Sequence, residues 1–246
     1  MKKNIKLCWM SAGVSSFIAG YLAKDVDKYI YIDIENQHPD SMRFIRDCEH
    51  VLGKDVEILK SEYGSIQNVI KTFRYINGAY GAKCTDVLKK RVRKAWEYDH
   101  RQYDITYVWG FDCDEKHRAD RLRETFPEFE HEFPLIDNNL TKADAHGMLD
   151  RLGIKRPAMY DMGYQNNNCV GCVKGGMGYW NKIRKDFPEV FERRAKLERQ
   201  LGHSMLKDKN GPVYLDELDP NRGDLNTEIF PDCGIMCRLN LENQDE

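Results

Sequence analysis

The chain has 246 residues, 41 % of them hydrophobic and 32 % charged, with Lys+Arg 38 against Asp+Glu 40 and a formal net charge of −2. That length and balance describe a globular protein able to bury its core without disulfide staples, and they exclude a mostly disordered chain or a histone-like polycation. No apolar run approaches the ~20 residues that span a bilayer, and Met1-Lys-Lys-Asn-Ile5 lacks a signal-peptide apolar stretch, so a cytoplasmic chain with no membrane partner is expected.

In chain order, Ile5 to Met10 reads as a buried strand, Ser11 to Ser16 as a turn, and the stretch through Phe17, Ile18, Tyr21 and Leu22 as a helix. Tyr29 to Ile34 is a second strand, and Pro39 opens a helix to about Val51 that Gly53 ends. Val56 to Leu59 is a third strand, followed by helical patterns near 65–76 and 84–98. Ile105 to Phe111 is a fourth strand, His117 to Thr125 a helix, and Phe133 to Ile136 a fifth strand. Thr141 starts a helix with Asp144 in its first turn and Gly153 near its end. Beyond about residue 155 the strand pattern fades, Gly, Asn and Cys cluster at 163–178, a charged helix pair occupies 179–201, and the tail is polar.

This alternation predicts an α/β fold: a doubly wound, mainly parallel sheet in residues 1–155, with a helical, Cys-containing extension over 156–246. In such sheets ligands bind beyond the carboxyl ends of the strands, which directs attention to 11–16, 33–40, 60–65 and 110–121. Ser11-Ala-Gly-Val-Ser-Ser16 joins a strand to a helix through small residues, so backbone N–H groups and serine hydroxyls at a helix start suit a phosphate or sulfate group. An ordinary tight turn reads equally well, and the Gly-Lys-Ser/Thr of a Walker loop is absent. Asp33, at a strand's carboxyl end, is placed to meet a ribose hydroxyl or an Mg²⁺ ion. Glu115 and Arg118 share a helix face, as do Arg118 and Arg121, which could reach one anionic group together.

The eight cysteines of a chain in a reducing compartment are metal ligands, redox groups or buried thiols. Cys8 and Cys48 fall in a strand and a helix and read as core thiols. Cys169-Val-Gly-Cys172 and Cys233-Gly-Ile-Met-Cys237 are close pairs that could together hold zinc or a 4Fe–4S cluster, with Cys84 a fifth candidate. Lys83, Lys89, Lys90, Arg91, Arg93 and Lys94 form a basic run, read either as a solvated helix or as a face for an anion, a partner protein or a nucleic-acid backbone.

Taken in order, several of these segments resemble the phosphoadenylyl-sulfate (PAPS) reductase family of PP-loop adenine-nucleotide α-hydrolases. The loop at 11–16 is similar to that superfamily's Ser-Gly-Gly-x-Asp-Ser, with Ala12 and Ser15 as departures. Tyr31 to Asp40, Gly110 to Glu115 with Arg118 and Arg121, Pro134-Leu-Ile136, Thr141 to Asp144, and Tyr160-Asp-Met-Gly-Tyr-Gln165 resemble the family's later elements. Asp232-Cys-Gly-Ile-Met236 looks like the tail whose cysteine takes the sulfonate, and Cys84 resembles part of the cluster-binding element of adenylyl-sulfate reductases, with Thr85 in place of its second cysteine. The resemblance implies an enzyme that holds an adenine nucleotide through Ser11, Gly13, Ser15, Ser16, Asp33, Gly110, Arg118 and Arg121, with Cys233 and Glu115 in catalytic roles. It makes Cys84, Cys169, Cys172, Cys233 and Cys237 candidate ligands of an iron–sulfur cluster or zinc, so Cys233 is claimed both as nucleophile and as ligand.

Three functions follow as expectations. The first is sulfonate transfer from PAPS or adenylyl sulfate to a cysteine and its reduction to sulfite, with a thiol reductant as partner. The second is cleavage of ATP to adenylate an acceptor for sulfur transfer, with a sulfur-carrier protein or nucleic acid as partner. The third is a non-catalytic, metal-stabilised module that binds nucleotide or nucleic acid.

Overall fold

The structure is a computed structural model that describes residues 2–78 and 81–228. Its five main strands are β1 (Lys3–Met10), β2 (Lys28–Asp33), β3 (Val56–Lys60), β4 (Tyr103–Val108) and β5 (Glu130–Glu132). The longer helices are α1 (Val14–Leu22), α2 (Asp40–Leu52), α3 (Ile66–Phe73), α4 (Arg91–Asp99), α5 (Lys116–Thr125), α6 (Lys142–Arg151), α7 (Met177–Asp186) and α8 (Pro188–Leu201). None is long and apolar enough to cross a membrane.

The chain forms two compact units. The first comprises Met1–Asp33, His38–Ser61 and Arg91–Asn167; the second gathers Ile34–Gln37, Glu62–Lys90 and Asn168 onward. The first unit holds the sheet, in the order β3-β2-β1-β4-β5 with every pairing parallel. Parallel pairing requires crossovers, and the intervening helices supply them. The order reverses at β1, so the segments leaving β1 and β4 flank the switch point where doubly wound sheets bind ligands.

Period-two alternation along β1 splits its apolar residues between two faces. Cys8 and Met10 join Phe17 and Ile18 of α1, Phe44 and Ile45 of α2, and Ala145 and Leu149 of α6 in one buried cluster. On the other face Trp9 meets Trp96 of α4 edge-on, with ring centroids 6.1 Å apart. Cys8 and Cys48 are fully buried, and burial pushes the Cys8 thiol up to about 12, which leaves it an inert core thiol.

Local signals fix several boundaries. Gly53 ends α2 in the left-handed conformation at φ 62°, the geometry a glycine adopts without penalty. Thr141 and Asp144 form a reciprocal capping box at the start of α6. The expected strand at Phe133 to Ile136 is corrected: the strand is Glu130–Glu132, and Pro134–Asp137 is a helical turn with proline in its first position. A short apolar run does not by itself separate strand from helix, and the fixed φ of Pro134 favours the helical start. The basic run is also not a uniformly solvated face, because Lys90 and Arg93 are buried.

In the second unit α7 and α8 pack through Trp180 and Phe191, whose ring centroids lie 6.3 Å apart. Glu198 is fully buried, and its carboxylate accepts hydrogen bonds from the Met205 amide and, at 2.7 Å, the Leu215 amide. It thereby ties α8 to the residues on either side of the hairpin Leu206–Asp208/Gly211–Val213. Ahead of α4, Asp86–Lys90 winds as a π-helical stretch.

Candidate functional site

In the first unit the loop 11–16 leaves β1 and opens α1, so its amides stand at the positive end of a nine-residue helix. Ser16 organises it from within. Its hydroxyl donates to the Gly13 carbonyl at 2.9 Å, accepts from the Ser11 amide at 3.0 Å, and lies 3.0 Å from the Ser11 hydroxyl. Ala12 is held at φ 56°, a conformation that costs a residue with a Cβ about 1–2 kcal/mol. Surrounding contacts must therefore hold the alanine in place.

Those contacts are visible. Asn167 donates from Nδ2 to the Ala12 carbonyl at 2.7 Å and to the Ser41 hydroxyl at 3.0 Å. The Tyr160 hydroxyl accepts from the Val14 and Asn167 amides, and burial pushes its phenol above the ordinary value. The segment carrying Tyr160 is anchored in turn by Asp40, which accepts from the Ala158 amide at 2.8 Å and pairs with Arg43 at 2.7 Å. These bonds, the Arg43 guanidinium first, bring the Asp40 carboxyl down to about 2. The side-chain oxygen Oδ1 of Asn167 is buried with no partner among the described residues.

Gly110, just beyond β4, presses directly against this loop. A Cβ on Gly110 would lie 2.6 Å from both the Cα and the amide nitrogen of Ser16. The structure thus brings together Ser11, Gly13, Ser15, Ser16 and Gly110, with Ser11 exposed and Gly13 and Ser15 half-buried. Asp33 ends β2 in an ion pair with Lys60 at 3.0 Å. Glu115 accepts from the Asp112 amide at 3.1 Å in a second capping box and pairs with Arg118, whose guanidinium lies 4.4 Å from the Phe111 ring centroid. Glu115 therefore shapes the 110–115 turn, and Arg121 is exposed on α5.

The cysteine turn belongs to the second unit. Cys84, Cys169 and Cys172 are buried there, and all three thiols, with Tyr179, are electrostatic neighbours of the Arg194 guanidinium. Arg194 is only 2 % exposed, and its Nε donates to the carbonyl of Gly171, between the two cysteines, at 3.4 Å. Burial lowers its pKa from the ordinary guanidinium value, while the surrounding thiols and phenol oppose that shift. The Tyr179 hydroxyl closes the turn: it accepts from the Cys172 amide at 2.9 Å and donates to the Cys169 carbonyl at 3.1 Å.

Thiol sulfur suits zinc or an iron–sulfur cluster. Among the described residues, however, no group of three or more His, Cys, Asp or Glu side chains is arranged to hold a metal ion. Three thiols thus share a neighbour without forming a complete site, and Cys233 and Cys237 lie outside the described residues. Cys113 is half-buried in the 110–115 turn, where burial and then Asp114 raise its thiol pKa.

Sequence reading singles out the loop, Gly110 and the cysteine pair; it misses Asn167, Tyr179 and Arg194. Asn167 lies in a run of three asparagines with no periodicity, and Arg194 sits in a charged helix, so neither advertises its burial.

No family model matches the sequence, and no curated protein does. Among solved structures, the chain is similar to phosphoadenylyl-sulfate (PAPS) reductase from Candida auris in a phosphate complex, at 12 % identity, over 69 % of this chain and 82 % of that chain, with a TM-score of 0.46.

Proposed function

We propose that the chain is a PAPS reductase-like, PP-loop enzyme that binds an adenine nucleotide at the 11–16 loop and transfers its sulfonate to a cysteine. The observation that carries this reading is the loop itself. It stands at the switch point of a parallel sheet and at a helix start, and Gly110, Asn167 and Tyr160 hold its backbone in shape. Preorganised amides bind an anionic oxygen group without an ordering cost at the moment of binding. The buried side-chain Oδ1 of Asn167 offers an acceptor to a ligand N–H or O–H. Asp33 is proposed for the ribose or an Mg²⁺ ion, and Arg118 and Arg121 for the anionic end.

The reaction balances with a thiol reductant. The Cys233 thiolate attacks the sulfur of PAPS or adenylyl sulfate, the sulfur–oxygen bond to the nucleotide breaks, and the nucleotide phosphate leaves. A second thiol attacks Sγ of the S-sulfocysteine, expels sulfite and forms a disulfide, which the reductant's two electrons return to thiols. The sequence resemblance supplies this role for Cys233, which lies outside the described residues. Cys84, Cys169 and Cys172 are proposed to hold an iron–sulfur cluster or zinc with help from the tail cysteines; such a group would stabilise the second unit when bound.

The test is sulfite release from PAPS and from adenylyl sulfate with a thiol reductant, comparing the parent with Cys233→Ser. Release by the parent and none by the variant is expected. No sulfite from the parent, with pyrophosphate formed from ATP instead, replaces this reading by that of a PP-loop ATP pyrophosphatase.

A further inference from the structure

A separate cavity of about 230 Å³ lies within the second unit, lined by Glu35, Asn36, Ser65, Gln67, Asn68, Val190, Arg193 and Arg194. Its size falls below the roughly 300–1,000 Å³ of pockets that enclose a drug-sized ligand, so it suits a chemical group rather than a whole nucleotide. Its lining is polar apart from Val190, and the charged side chains are two guanidiniums and one carboxylate.

Arg194 makes the cavity unusual. A guanidinium stays protonated even when buried, and a buried cation without a counter-charge is costly. Among the described residues Arg194, 98 % withdrawn from solvent, makes a single long hydrogen bond, to the Gly171 carbonyl, and pairs with no carboxylate; its electrostatic neighbours are the weakly acidic thiols of the cysteine turn and Cys84 and the Tyr179 phenol. Arg193, next along α8, is exposed and also forms no ion pair among the described residues. The lining also includes the start of α3, an eight-residue helix whose N-cap Ser65 accepts from the Asn68 amide at 3.2 Å. Asn36 braces that wall: its Oδ1 accepts from the Ile66 amide at 2.6 Å, and its backbone carbonyl accepts from Val170 of the cysteine turn at 2.7 Å. Two guanidiniums, side-chain amide donors and the positive end of a helix thus converge on one small space. Glu35 is exposed, so its carboxylate is hydrated and screened.

We propose that this cavity is an oxyanion-binding subsite for a phosphate, sulfate or sulfite group, held by Arg193 and Arg194 with Gln67 as a further donor. The assignment goes beyond the nucleotide loop and does not depend on the reaction proposed above.

Calorimetric titration of orthophosphate, sulfate and sulfite into the full-length protein, at ionic strength fixed with chloride, tests the subsite. Four chains are compared: the parent, Arg193→Gln, Arg194→Lys and Gly13→Val. Arg193→Gln is expected to weaken oxyanion binding about tenfold, the loss of one charge-assisted contact. Arg194→Lys keeps a charge but loses the fork and should also weaken it. Gly13→Val, at the nucleotide loop, should retain binding that responds to Arg193→Gln when the two are combined. A preference among the three anions identifies the natural group, and any of them binding in this Arg193-dependent way supports the subsite. Oxyanion binding unchanged in folded Arg193→Gln and Arg194→Lys, or abolished by Gly13→Val alone, overturns it. No nucleotide binding by the parent, with Arg193-dependent oxyanion binding intact, would sink the nucleotide reading and leave the subsite standing.

Discussion

In the first unit the candidate site is a backbone site: the 11–16 loop gets its shape from close main-chain approach at Gly110 and from amides and carbonyls caught by Tyr160 and Asn167. In the second unit the features of interest are buried side-chain charges and thiols: Arg194 among three cysteines, and Glu198 clasping two amides. The difference teaches what each unit tolerates. A backbone site is broken by adding an atom, whereas a buried-charge site is broken by removing one.

The largest effect is expected at Glu198. Glu198→Ala strands the buried Met205 and Leu215 amides and should cost about 3 kcal/mol in urea unfolding. Glu198→Gln gives a sharper reading. Burial raises the Glu198 carboxyl above its ordinary value, so the folded chain keeps this proton to higher pH than the unfolded chain does. The stability from this group is full below the unfolded value of about 4.3 and is lost as pH rises through the folded value. The parent should therefore lose stability relative to Glu198→Gln across that window; parallel profiles would remove the buried-charge account.

Gly110→Ala comes next. The added Cβ meets the Ser16 backbone, which cannot rotate away, so a loss of about 2 kcal/mol is expected together with weakened nucleotide binding. An alanine variant as stable as the parent, with unchanged nucleotide affinity, would mean that the loop is not backed by this contact.

Asp40→Asn should cost about 1 kcal/mol near neutral pH, with much of the ion-pair energy discounted for solvent. Its sign is opposite to that of Glu198. The folded carboxyl lies at about 2, below its ordinary value, so its contribution is present above about 3.9 and is lost as pH falls through that range towards 2. The gap between parent and Asn variant should close on acidification, measured by urea midpoints at several pH values. Tyr179→Phe removes the hydroxyl across the Cys169–Cys172 turn and should cost about 1 kcal/mol. Faster alkylation of the two thiols in the native variant checks this; an unchanged rate would show that the phenol does not close the turn.

Much of the first unit was legible in the sequence because its determinants are local. The strand-turn-helix at 5–22, Gly53 as the stop of α2, and the Thr141/Asp144 capping box can each be read within a few residues. The exception at Phe133 to Ile136 failed where a short apolar run carried two meanings and proline decided between them. What could not be read depends on chain-distant contacts. Asn167 reaches Ala12 across 155 positions, and Arg194 reaches Gly171 across 23, with no periodic pattern to announce either. The burial of Lys90 and Arg93 was hidden for the same reason: a run of charges looks solvated until tertiary packing places it.

The role proposed for the backbone of residues 11–16 is to receive the anionic end of an adenine nucleotide. The direct measurement is calorimetric titration of PAPS, adenylyl sulfate and ATP into the parent and into Gly13→Val. Valine at 13 sets its branched side chain against the Ser11 and Tyr160 hydroxyls, which a Cβ alone would meet at 3.1 and 3.4 Å. Saturable binding of at least one of the three by the parent is expected, weakened about a hundredfold or more in a variant that remains folded. Equal affinity in the two chains would contradict it.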